Sequence, residues 1–113
     1  MSPREYLGEL ELVILLALVR LGEDAYGVTI RDEIEDRTGR ELTPGTLYPT
    51  LDRLERKGFI HSSLGDPTPE RGGRAKRYYV LLPKGLDAVR RSWQMMGALS
   101  EGVERRLDPE RPG

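Results

Sequence analysis

Residues 42–60, LTPGTLYPTLDRLERKGFI, constrain this chain more than any other stretch, because they carry both ends of one helix and the start of a strand. Thr43 can cap the helix with its hydroxyl, and Pro44 falls at the first helical position, where a missing amide hydrogen removes no helical bond. Lys57 and Gly58 supply the stop. Between those limits Leu47, Leu51 and Leu54 follow the i, i+4, i+7 spacing of a core stripe, whereas Thr46, Thr50, Arg53 and Lys57 fall on another face at helical spacing. Pro49 has no amide donor and disturbs a helix begun at Thr43, so the regular part is expected to start nearer Thr46. One face packs, and the other offers hydrogen-bond donors and positive charge. Such a helix running into a strand reads as a recognition helix feeding a wing.

The rest of the chain supplies matching parts. Residues from about 5 to 21 contain strong helix formers, and their apolar density exceeds that of a one-sided helix. Leu7, Leu10, Ile14, Leu18 and Leu21 make one stripe, while Leu12, Leu15, Leu16 and Val19 spread apolar surface onto a second side. This helix must be covered on two faces. After the break GEDAYG, a second helix is expected at about 28–38, with Val28, Ile30 and Ile34 inward and Gly39 ending it. FIHSSL and KRYYVLL are strand-like and flank the Gly- and Pro-dense GDPTPERGGRA, which together predict a hairpin with a long tip. One of Tyr78 and Tyr79 is expected in the core. A long helix follows at about 83–107, with Leu86, Val89, Trp93, Met96, Leu99, Val103 and Leu107 alternating spacings of three and four. So long a seam has little to pack on within one small domain, and a second subunit is the economical cover. The predicted fold is mostly α with a small β-hairpin. It divides into a winged helix-turn-helix at 1–82, a dimerisation helix at 83–107 and a disordered tail at 108–113.

Composition excludes several classes. With no cysteine there is no disulfide framework or thiolate site, and the lone His61 leaves no imidazole cluster, so neither a metal nor another cofactor is expected. No nucleophile, base and orienting partner stand at usable spacing, and there is no phosphate loop, so the chain is not expected to be an enzyme. The apolar run 12–19 is too short to cross a bilayer, and the charged start SPREYLGELE lacks a signal-peptide layout. A cytoplasmic protein without membrane association is expected. The net charge of −1 is unlike that of most nucleic-acid binders, but its distribution is uneven. Residues 1–42 carry five Arg or Lys against ten Asp or Glu, and residues 43–85 carry eight against four. Phosphate binding depends on local potential, so a basic face suffices, and the acidic first third is expected to point away from DNA.

The order helix, helix, helix, hairpin, long helix describes a winged helix-turn-helix with a C-terminal dimerisation helix. At this point the chain resembles the PadR family of bacterial transcriptional regulators, in its shorter subgroup with a single C-terminal helix. The resemblance is carried by LGELELVILLAL, AYGVTIRDEI, PGTLYPTLDRLERKGFI and KRYYVLLPKG, four matches in the correct order. It implies a homodimer on a pseudo-palindromic operator in double-stranded DNA, usually a repressor, often with a small aromatic or cationic compound as inducer.

Within that frame Thr46, Thr50 and Arg53 are expected to reach base edges, Arg53 bidentately to guanine, and Lys57 to meet phosphate. The resemblance adds Tyr48 and Pro49, whose family counterparts sit at the DNA-facing end of this helix. Arg71, Arg74, Lys76 and Arg77 at the wing would contact phosphates or an adjacent minor groove. The dimer seam is expected to comprise Leu10, Ile14, Leu86, Val89, Trp93, Met96, Leu99, Val103 and Leu107. Trp93 and Met96 are either dimer core or the lining of a ligand cavity between subunits. The competing function is a winged helix whose basic face binds an acidic protein partner.

Overall fold

The computed structural model describes residues 6–65 and 75–108. In chain order the elements are α1 (Glu9–Leu21), a 3-10 turn (Gly22–Asp24), α2 (Gly27–Thr38), α3 (Pro44–Arg56), β1 (Ile60–Leu64), β2 (Arg77–Leu81), α4 (Pro83–Ser100) and the short α5 (Glu104–Leu107). The two strands pair antiparallel, with Ile60 opposite Leu81 and Ser62 opposite Tyr79. The segment before α2 extends this ribbon: Tyr26 bridges Tyr78, and the Tyr79 amide donates to the Ala25 carbonyl at 2.9 Å. The wing is thereby tied to the start of α2. The architecture is the mostly helical winged helix with a small two-stranded sheet expected from the sequence.

One core joins every layer. Ile14, Leu15 and Leu18 of α1 meet Ile30 and Ile34 of α2, Leu47, Leu51 and Leu54 of α3, then Phe59, Ile60, Tyr79, Ala88 and Val89. Tyr79 is the buried tyrosine of the pair, and Tyr78 packs edge-on against Tyr26 with ring centroids 5.4 Å apart. Val28, expected inward on α2, is exposed, because Gly27 and Ile30 occupy the buried side of that turn.

Three helix limits differ from expectation, each for a local reason. α1 begins at Glu9 rather than near residue 5: the Gly8 amide donates to Glu11 Oε1 at 3.1 Å, which starts the helix there, and the Leu7 amide turns instead to Ser92 Oγ at 3.3 Å. α3 begins at Pro44 and runs through Pro49. The Thr43 hydroxyl accepts the Thr46 amide at 3.2 Å, so the start is held, and Pro49 removes only the bond that Gly45 would have accepted. The last helix is not continuous to Leu107; it stops at Ser100, and Gly102 at φ +78° turns the chain before α5.

Candidate nucleic-acid interface

The helical repeat divides α3 into faces. Leu47, Thr50, Leu51 and Leu54 are buried, and directly opposite them stand Gly45, Pro49, Asp52 and Arg56, all exposed. Thr46, Arg53 and Lys57 occupy one flank, Tyr48 and Glu55 the other. Thr50, expected to point outward, is only 3% exposed, and its hydroxyl donates to the Thr46 carbonyl at 2.8 Å. It packs with the leucines, because α1 covers the helix further round than the leucine stripe alone indicates.

The flank of Arg53 and Lys57 is occupied from within the molecule. Glu11 of α1 is buried, and its Oε2 accepts from Lys57 Nζ at 2.9 Å and lies 3.5 Å from Arg53 Nε. Burial pushes the Glu11 carboxyl up, but bonds from Lys57, the Gly8 amide and Arg53 outweigh it and hold the group below the ordinary glutamate value. One acidic residue of the N-terminal third therefore points at α3, contrary to the expectation that this third faces away. Both cations remain partly solvated and within reach of a partner that competes with Glu11.

The opposite flank faces the wing. The Tyr48 hydroxyl lies over Gly27, where a Cβ would sit 2.0 Å from it, so this tyrosine is seated only because α2 opens on glycine. Tyr48, Tyr26, Gly27, Val28, Ala75, Lys76 and Arg77 surround a recess of about 280 Å³ between α3, α2 and the wing base. Lys76 Nζ stands 4.4 Å from the Tyr26 ring centre, a cation–π contact. Glu55 holds β1: its Oε2 accepts the Ser62 amide at 2.9 Å and its Oε1 the Ser62 hydroxyl at 2.8 Å. The same Ser62 oxygen accepts from Arg77 at 3.1 Å, so Arg77 is oriented through Ser62 by α3. These bonds keep the Glu55 carboxyl below its usual range, the Ser62 amide first among them. Thr46, Tyr48, Pro49, Arg53, Lys57, Lys76 and Arg77 thus converge around one side of the domain, whereas Thr50 does not. Arg71 and Arg74 lie outside the described residues.

Sequence reasoning missed Asp52, Arg56 and Glu11. The leucine stripe was a sufficient signal for the first two, since the residues half a turn away from it are the ones that face outward. Glu11 carried no such signal, because its partners are 42 and 46 residues away.

The profile of the Transcriptional regulator PadR-like family matches residues 14–91, more than half of the chain. The chain belongs to the PadR-like family of transcriptional regulators. Among its relatives, the transcriptional regulator Rv3488 of Mycobacterium tuberculosis is 34% identical over 80 residues, covering 71% of this chain and 70% of that protein. A crystal structure of a PadR family transcription regulator from Clostridium difficile superposes with a TM-score of 0.74 at 26% identity, covering 88% of this chain and 99% of that one. A PadR-like transcriptional regulator from Bacillus cereus gives 0.71 at 26% identity, covering 87% and 90%.

In this PadR-like chain the seam assigned to a second subunit is divided. Ile14 and Val89 are buried in the protomer's own core, and Leu10 is partly covered there, so Ile14 and Val89 leave the expected interface. Leu86, Trp93, Met96, Leu99 and Leu107 are exposed, Trp93 by 67% and Leu99 by 75%. Val103 and Leu107 follow the break at Gly102 and do not continue the α4 stripe. Trp93 lines a recess of about 230 Å³ with Leu16, Val19, Leu86, Val89 and Arg90; Met96 is not part of that lining. No helix among the described residues is long and apolar enough to cross a membrane.

Proposed function

We propose that this regulator is a repressor that binds a pseudo-palindromic operator as a homodimer, working on chromosomal DNA in the cytoplasm. The observation that carries the reading is the exposed face of α3, which no described residue covers and which stands beside the base of the wing, with cations on both flanks. α3 enters the major groove with Tyr48 and Pro49 near its leading end. Thr46, Arg53 and Lys57 on one side, and Lys76 and Arg77 on the other, meet phosphates. These contacts fix register and carry most of the salt dependence. The uncovered apolar side chains of α4, Trp93, Met96 and Leu99, support a two-fold interface with a second copy. The recess under Trp93 is where a small aromatic or cationic inducer would act on that interface.

Fluorescence anisotropy with the DNA upstream of the chain's own gene against a scrambled duplex, at physiological salt, tests the proposal. Preference for the upstream duplex is the expected result. Equal weak binding to both, with salt-sensitive capture of an acidic protein, would replace it with a protein-interaction role for the basic face.

A further inference from the structure

The operator reading leaves unassigned which side chains of α3 read sequence, and the following rests on that reading. We infer that Asp52 is the specificity-determining residue of α3: its carboxylate accepts a hydrogen bond from a cytosine N4 amine, and Arg56 donates to a guanine one or two base pairs along the groove.

The argument is one of position and of elimination by contacts. Asp52 and Arg56 sit at the centre of the face opposite Leu47, Leu51 and Leu54. Gly45 and Pro49, which share that face, have no side-chain donor or acceptor. Thr50 is consumed by the core, Arg53 and Lys57 stand on the flank that Glu11 draws toward α1, the Thr46 hydroxyl on that flank accepts from Thr43, Tyr48 on the other flank is seated over Gly27, and Glu55 is held by Ser62. Asp52 and Arg56 form no ion pair with any described residue, and together with Glu55 they line an open recess on the surface.

A carboxylate aimed at a polyanion is repelled by every phosphate near it. It recovers that loss only against a donor, and the major groove presents just two: the amines of cytosine and adenine. Adenine places an acceptor, N7, beside its amine and so suits an amide side chain, which both gives and takes. Cytosine presents the amine without that acceptor, and a carboxylate accepts only. Arg56 lies one turn further, about 6 Å along the helix axis, a distance comparable with about two base-pair steps of about 3.4 Å. Its guanidinium matches the paired acceptors O6 and N7 of guanine.

The test selects duplexes from a randomised library with wild type, Asp52→Asn and Asp52→Ala, then measures affinities for single-base variants of the enriched site. For wild type, one cytosine in each half-site is required, and replacing it weakens binding about tenfold. Asp52→Asn moves the preference at that position to adenine, because the amide matches the adenine pattern. Asp52→Ala loses discrimination there while binding scrambled duplexes several-fold more tightly, having shed a negative charge. Identical base preferences at every position for all three proteins would overturn the assignment while leaving the operator reading intact. Failure of wild type to enrich any sequence would overturn both. Asp52 is exposed, so unchanged circular dichroism of the variants is the control for folding.

Discussion

The two halves of α4 carry the same alternation of apolar residues and meet opposite fates. From Pro83 to Ser92 the helix sinks Gly85, Ala88, Val89 and Ser92 into the core, whereas from Trp93 to Ser100 every residue is exposed. Nothing in the stripe distinguishes the halves. Among the described residues α1 packs on α4, and only the first half is buried by that contact. A periodic apolar pattern therefore says that a face will be covered, not by what. In the first half the cover is the chain itself, and in the second we assign it to another copy.

Placing a charge in each half is the sharpest way to break this comparison. Ala88 is fully buried, so Ala88→Glu strands a carboxylate in the core and is expected to cost about 4 kcal/mol, a large fraction of the stability of a small domain, read by urea unfolding followed by circular dichroism. Should Ala88→Glu fold as well as wild type, the packing of the first half is not as described. Leu99→Glu, in the second half, is expected to leave the folded protomer within about 0.5 kcal/mol of wild type. It should instead weaken self-association by about a hundredfold, about 2.7 kcal/mol, read by sedimentation across a concentration series. Loss of folding together with no change in mass would show that the second half packs intramolecularly.

The covered half is also connected to α3, through Ser92 to Leu7 and from neighbouring Gly8 to Glu11, Lys57 and Arg53. Glu11→Ala is expected to lose about 2 kcal/mol of stability, since it leaves bonds to charged partners unmade. Its pH dependence has a definite sign. The folded Glu11 value lies below the ordinary 4.5, so its contribution is present above about pH 4.5 and disappears as pH falls through the folded value. Urea unfolding of Glu11→Gln should therefore lose less stability than wild type on going from pH 5 to acid. Parallel curves would mean that the Glu11 bridge does not form in solution. The smallest effect belongs to Ser92→Ala, which removes one acceptor for the Leu7 amide at about 1 kcal/mol. A change beyond about 3 kcal/mol would point to a larger role for this tie between α4 and α1.

Much of the fold was legible because its signals are local. The leucine spacing of 47, 51 and 54 marks the buried stripe of α3, Gly39 at φ +74° ends α2, and the strand composition of FIHSSL and KRYYVLL marks the wing; each acts within a few residues of itself. The site was legible only in outline. Tyr48, Lys76 and Arg77 do gather beside the exposed face of α3, but Thr50 does not, and Asp52 and Arg56 take the centre that the threonines and Arg53 were expected to hold. Thr50 and Arg53 lie at the border between faces, where spacing alone leaves the assignment open. For Arg53 the neighbour that matters, Glu11, is 42 residues away in the chain.

By itself the sequence determined which segments are helix or strand, that α2 stops at Gly39, and that Leu47, Leu51 and Leu54 face a core, since caps, glycine turns and periodicity are short-range effects. Only the tertiary structure decided that Thr50 packs inward, that Glu11 holds Arg53 and Lys57, and that α4 is covered for half its length. Those outcomes depend on how far one element reaches over another, a distance in space that no spacing along the chain encodes.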